Sequence, residues 1–285
     1  MPLQPFTVLP SSQLAMTELF PPRAYTNLRD VSTIIFALKK QLESRDVSQY
    51  ISLKNVSASN FRYIDQHLPR LCGKVKVNYY PDIVTLIIKV PTNVHEIVHT
   101  NIGEEVILQC RGMGIGRAEF LGLGATRYTG PTASNKEADA SWKNPTLRPK
   151  HVDWPMLVIE VGVSESMPRL RNDAAWWISN SGGQVRIVIV IKVTRATKKV
   201  VIEKYIPKQV VLPRTRARAR LPPVYAPDLV STTTVDQGAH PPTVGGDRLI
   251  LEFESVIGRA PMPPERDIEL TPVILLDATR YVFVN

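Results

Sequence analysis

The chain reads as an α/β fold in its α+β form, with a mixed central sheet flanked by helices. Three observations predict it. Residues 156–164 and 185–193 are β-rich apolar runs with few interruptions, the pattern of strands buried on both faces. Between them, Leu170, Ala174, Trp177 and Ile178 fall at helical spacing, and strand, helix, strand is the right-handed crossover that joins parallel strands. Upstream, an amphipathic stretch and a series of short alternating segments add an N-terminal helix and a β-meander.

Taken in order, residues 1–26 carry Pro2, Pro5, Pro10, Pro21 and Pro22 without periodicity and read as an extended arm. A helix follows on Val31, Ile34, Ile35, Leu38 and Leu42. Asn27 or Asp30 supplies its cap, and Lys39 and Lys40 lie late, where the helix dipole favours them. Residues 50–56, 61–64, 74–80 and 83–90 read as strands, the last two joined by a turn at Pro81-Asp82. Pro91-Thr92-Asn93 opens a helix over 94–110, on which Val94, Ile97, Val98, Ile102 and Leu108 share one face. Glu105 falls near the middle of that face, either as a salt-bridged structural acid or as a carboxylate aimed at the sheet, with Glu104 as its substitute. The glycines of 112–124 complete neither a dinucleotide fingerprint nor a P-loop and read as turns around a short strand at 118–123. Beyond the two apolar runs, 199–206 adds a strand. Residues 207–247 are a Pro- and Arg-rich low-complexity insertion, and 248–285 return as strands or a short helix packed on the core. The expected organisation is thus an arm (1–26), a core (27–206), an insertion (207–247) and C-terminal strands (248–285).

With 285 residues, 44% of them hydrophobic, the chain can bury a full core, and no apolar run approaches the roughly 20 residues that cross a bilayer. No secretory signal is evident, and Cys72 and Cys110, both in apolar surroundings, read as buried thiols of an intracellular protein, nuclear or cytoplasmic. The net charge is +9, and residues 195–220 hold nine basic residues and one acid, so nearly all the excess is local. Arg195, Lys198, Lys199, Arg214, Arg216, Arg218 and Arg220 form a block suited to nucleic acid, DNA first, or to a solubilising or targeting tail.

The chemistry centres on two acids. Glu160 interrupts an apolar strand, which is costly unless something pairs with it. Asp139 lies just upstream, across a loop containing Pro145, Pro149 and Pro155 that can fold the two segments side by side. Converging carboxylates suit Mg²⁺, or Mn²⁺, which can activate water and stabilise charge on a phosphate. The same spacing fits a structural arrangement in which Glu160 pairs with Arg169 or Arg171 and Asp139 caps a turn. A second pattern, His95-Glu96-Ile97-Val98-His99, places two histidines one helical turn apart around an acid, as zinc peptidases do. No third ligand follows at the spacing of the longer motif, and Asn101 and Gly103 depart from such helices.

The order helix, short strand, strand with Asp139, strand with Glu160, helix, strand resembles the core of the restriction-endonuclease-like, PD-(D/E)XK, nuclease superfamily. Lys136-Glu137-Ala138-Asp139-Ala140-Ser141-Trp142, Glu160-Val161-Gly162-Val163-Ser164-Glu165-Ser166 and Leu170-Arg171-Asn172-Asp173-Ala174-Ala175-Trp176-Trp177 are similar in wording to a group of fungal proteins with that core. The resemblance covers roughly residues 75–206, with a weaker echo at 248–284. It implies a Mg²⁺-dependent phosphodiesterase acting on DNA, with Asp139 and Glu160 as metal ligands and Glu105 as an auxiliary acid. The family's lysine, two residues after the glutamate, is here Gly162. The basic role then falls to Arg171 on the following helix or Lys192 on the next strand, and a degenerate member would bind nucleic acid or protein without cutting.

Overall fold

The computed structural model describes residues 9–124, 126–163, 166–211 and 222–283. A short helix α1 (Ser11–Leu14) and strand β1 (Arg23–Ala24) lead to helix α2 (Leu28–Ser44), capped by Asn27, whose side chain accepts from the Asp30 amide. Strand β2 (Tyr50–Lys54), helix α3 (Ala58–Cys72), strands β3 (Lys76–Tyr80) and β4 (Thr85–Lys89) and helix α4 (Asn93–Gly112) follow. The expected strand at 61–64 is part of α3. Phe61, Ile64, Leu68 and Cys72 recur at helical rather than alternating intervals, and Ser57 caps the start. The meander is therefore split by a helix, and β4 pairs between β2 and β3.

Next come β5 (Leu121–Gly122), β6 (Arg127–Thr129), β7 (Asn135–Glu137), β8 (Ala140–Lys143), β9 (Leu157–Val163), helix α5 (Met167–Asn180) and β10 (Ile187–Thr194). In and around one sheet α4, β5, β8, β9, α5, β10 follow the expected order, with β8 antiparallel and β10 parallel to β9, but β6 and β7 of another sheet intervene before β8, and Asp139 lies just ahead of β8 rather than on it. Strands β11 (Lys199–Gln209), β12 (Tyr225–Asp236) and β13 (Thr243–Gly246) extend the sheet of β9 and β10. Much of the described part of the expected low-complexity insertion is thus strand: β12 runs its length against β11, and its alternating Ser231, Thr233 and Val235 face the interior. Strand β14 (Leu249–Leu251), helix α6 (Phe253–Ile257), strand β15 (Ile268–Leu270) and helix α7 (Pro272–Thr279) close the chain.

Two larger mixed sheets result, ordered β1-β2-β4-β3-β7-β6 and β13-β12-β11-β10-β9-β8-β5. In the second sheet, Leu157, Ile159 and Val161 face α4, while Val158, Val188 and Val190 face α5, so a helix covers each side of the parallel pair. Gly103 lets α4 approach β8 closely: a Cβ there would stand 2.8 Å from the ring of Trp142. The first sheet buries one face against α2 and α3 through Val77, Tyr79, Leu86 and Ile88. Its other face carries Lys76 and Lys89, which are direct cross-strand partners, toward the second sheet. Between β7 and β8 the chain passes from one sheet to the other, and Asp139 lies in that passage.

Candidate functional site

Two lysines side by side on one sheet face repel unless an anion lies between them. Asp139 is that anion. Lys76 Nζ donates to Oδ1 at 2.5 Å and Lys89 Nζ to Oδ2 at 2.6 Å. Asp139 Oδ2 also accepts from the Val161 amide at 2.7 Å and lies 2.8 Å from His95 Nε2. Pairing of β8 with β9 stops at Ala140 and Ile159, so the next edge amides of β9 need other acceptors; Asp139 serves Val161, and buried Gln49 serves Val163. Burial alone would raise the Asp139 carboxyl, but His95, Lys76 and Lys89 together hold it well below the usual range.

Glu160 is 1% exposed and projects on the α5 side of β9. Its Oε1 accepts from Trp177 Nε1 at 2.6 Å and lies 3.5 Å from Lys136 Nζ; its Oε2 lies 3.7 Å from Lys89 Nζ. Lys136 in turn donates to Asp173 Oδ1 at 2.6 Å, and Tyr50 donates to Asp173 Oδ2 at 3.3 Å. Desolvation raises Glu160 to about 6, with Asp139 and Asp173 adding to it against the pull of Lys136 and Lys89. Burial pulls Lys136 down, yet Asp173 and Glu160 outweigh it and the ammonium is held above its ordinary range; Asp139 and Glu160 do the same for Lys89. Three ammonium groups thus pair with three carboxylates, and Lys76, Lys89, Lys136, Glu160 and Asp173 line a cavity of about 20 Å³, room for one water.

The two acids singled out from sequence do converge, and a cation lies between them, but it is the Lys89 ammonium. It is fixed by Asp139 Oδ2, by the Val161 carbonyl at 2.7 Å and by the more distant Glu160. The residues as arranged do not fit Mg²⁺, which needs several oxygens and keeps part of its water shell, because the Lys89 ammonium lies between the two acids and Lys76 and Lys136 match the rest of their charge. Nor does either arginine pair with Glu160. Arg169 donates to the Ala15 carbonyl and stacks on Tyr50 and Phe20, while Arg171 forks onto Glu203 at 2.6 and 3.1 Å, on the β11 side of α5.

Lys192 falls opposite Gly162 in the β9–β10 register, on the face that carries Glu160, and is half-buried; among the described residues no carboxylate lies within 4 Å of it. Glu105 is not at the centre of the buried face of α4. That face is His95, Val98, Ile102, Val106 and Cys110, whereas Ile97 and Leu108 are 36% and 57% exposed. The apolar residues of this helix suit two faces about 100° apart at 100° per residue, and the chosen one leaves Glu105 on its flank. In the basic block, Arg195 donates to the Leu42 carbonyl, Lys199 pairs with Asp236, and Lys198 sits in an exposed turn; Arg214, Arg216, Arg218 and Arg220 lie outside the described residues. Lys204 is buried against Glu252, so the block is not one continuous cationic face.

Sequence reasoning missed Lys76, Lys89, Lys136, Asp173 and Trp177. Lys89 had a signal: it interrupts an apolar strand between Ile88 and Val90 just as Glu160 interrupts its own. Trp177 was read only as part of an apolar stripe, yet its indole N–H is the closest donor to Glu160.

No helix among the described residues is long and apolar enough to cross a membrane. No family model matches the chain, and no curated protein matches its sequence. Among solved structures it is similar to a "putative nuclease belonging to DUF820" from Anabaena variabilis, at 12% identity and a TM-score of 0.30, over 51% of this chain and 84% of that one. At that distance the chemistry has to be argued from the side chains.

Proposed function

We propose that this protein is a non-hydrolytic module with a nuclease-like core that binds nucleic acid through its basic 195–220 segment. One observation carries the non-hydrolytic half: the Lys89 ammonium sits within 2.6 Å of Asp139 and 3.7 Å of Glu160, where a catalytic cation would be held. Hydrolysis would need that ammonium to leave, exposing two buried acids, and Arg171, standing in for the lysine missing at Gly162, is a poor proton acceptor. The other half rests on the local charge of +8 over residues 195–220: cations there that are not already paired, as Lys199 and Lys204 are, can neutralise phosphates and release counterions whatever the base sequence.

The test has two arms. Plasmid incubated with the purified protein and Mg²⁺ or Mn²⁺ stays supercoiled, and fluorescence anisotropy in EDTA reads salt-dependent binding of duplex DNA. Replacing Arg214, Arg216, Arg218 and Arg220 by Ala lowers the slope of log K against log salt by about 3 to 4, near one unit per lost phosphate contact. Asp139→Asn leaves DNA affinity unchanged. Metal-dependent nicking abolished by Asp139→Asn would establish hydrolysis instead, and no binding at low salt would remove nucleic acid as the ligand.

A further inference from the structure

The N-terminal turn of α4 carries a cluster that touches the acid network only through His95 Nε2 and lies apart from the basic segment. His95 Nδ1, Glu96 Oε1 and His99 Nε2 are each buried without a well-aligned hydrogen bond among the described residues, although Nδ1 stands 3.3 Å from Glu96 Oε1 and His99 Nε2 3.4 Å from Glu96 Oε2. Unmade hydrogen bonds on buried polar atoms are costly, and three together on one helical turn ask for a shared partner. Ligand atoms of the three residues lie within 4.8 Å of one another. We propose that His95, Glu96 and His99 bind a transition-metal dication of the zinc class, through two imidazole nitrogens and one carboxylate oxygen.

The surroundings are built as they are around histidine ligands. His95 is fully buried, and its other nitrogen, Nε2, stands 2.8 Å from Asp139 Oδ2, so a carboxylate behind the ring leaves Nδ1 to face Glu96 and His99. Residues i and i+4 share a helix face, which brings His99 beside His95 with ring centroids 5.2 Å apart. Lys74 pairs with Oε2 of Glu96, leaving Oε1 for a metal. Two imidazoles and one carboxylate suit Zn²⁺, Co²⁺, Ni²⁺ or Cu²⁺; Mg²⁺ prefers oxygen alone. The arrangement is not that of a zinc peptidase, in which both histidines bind and the intervening glutamate stays free as base. Here Glu96 is the third ligand.

Titration of the full-length protein with CoCl₂ and ZnCl₂ reads the site directly. One equivalent of Co²⁺ should give visible d–d absorption that Zn²⁺ displaces, and Zn²⁺ should raise the thermal midpoint while MgCl₂ at the same concentration leaves it unchanged. His99→Ala and Glu96→Gln, at side chains 12% and 32% exposed, should fold and each weaken binding about tenfold or more. No stoichiometric binding, equal binding in both variants, or a matching response to Mg²⁺ overturns the proposal and leaves His95 as a structural side chain packed between Asp139 and Glu96. DNA affinity is measured in EDTA, so either reading can fail without the other.

Discussion

Replacing Lys89 by Met keeps the side chain's length and removes its charge. In the folded chain Lys89 Nζ donates to Asp139 Oδ2 at 2.6 Å and to the Val161 carbonyl at 2.7 Å, and it is the cation nearest Glu160 Oε2. Removing one partner of a buried pair leaves an uncompensated charge and costs about 3–5 kcal/mol, against about 0–1 kcal/mol for the exposed Lys74–Glu96 pair. Taken at roughly 2–4 °C per kcal/mol, Lys89→Met should lower the thermal midpoint by on the order of 10 °C, and Lys74→Ala by no more than a few degrees. In Lys89→Ala the place is vacated and holds two carboxylates and a carbonyl with no cation between them. Mg²⁺ should therefore stabilise Lys89→Ala, by about 2.7 kcal/mol when its concentration is a hundredfold above the dissociation constant, and leave the parent protein unmoved. Thermal unfolding by circular dichroism at pH 7, with and without MgCl₂, measures both. A parent protein stabilised by Mg²⁺ as much as Lys89→Ala, or a Lys89→Met variant that loses less than about 1 kcal/mol, would refute the reasoning.

Further outcomes follow from the acid network and from the packing of α4. Glu160 is raised from 4.5 to about 6, so the folded state binds the extra proton in that window; the stability it contributes is full below about pH 4.5 and is lost as pH rises through 6. The stability of Glu160→Gln minus that of the parent should thus grow by about 2 kcal/mol between pH 4 and 7, measured by urea unfolding; a flat difference contradicts it. Trp177→Phe removes the 2.6 Å donor to Glu160 and should cost about 1.5–3 kcal/mol in the same assay, whereas a loss of a few tenths would mean the bond is not made. Gly103→Ala drives a Cβ to 2.8 Å from Trp142 and should destabilise by about 1–3 kcal/mol despite its better helix propensity. Gly112→Ala, with nothing within 4 Å, should be neutral or stabilising by thermal midpoint.

The central crossover was legible because its strands are nearly unbroken apolar runs and its helix presents Leu170, Ala174, Trp177 and Ile178 inward. Helix α3 was not, because Tyr63, Asp65 and His67 among its apolar positions mimic a short strand between turns. Strand β12 was hidden by Pro222, Pro223 and Pro227, which sit at its start or just before it, where a strand tolerates them. At the site, the approach of Asp139 and Glu160 could be read from spacing, but what lies between them could not. Lys76 and Lys89 belong to another sheet, and only the register of β3 against β4 brings their ammonium groups to Asp139. Such long-range pairing is set by tertiary packing, which periodicity within a segment does not encode.

The most direct measurement is a crystal soaked in Mn²⁺, with anomalous difference density read between Asp139 and Glu160. The expected result is no peak there, with the Lys89 ammonium bonded to Asp139 Oδ2 and the Val161 carbonyl. A manganese ion held by both carboxylates, with Lys89 displaced, would contradict it.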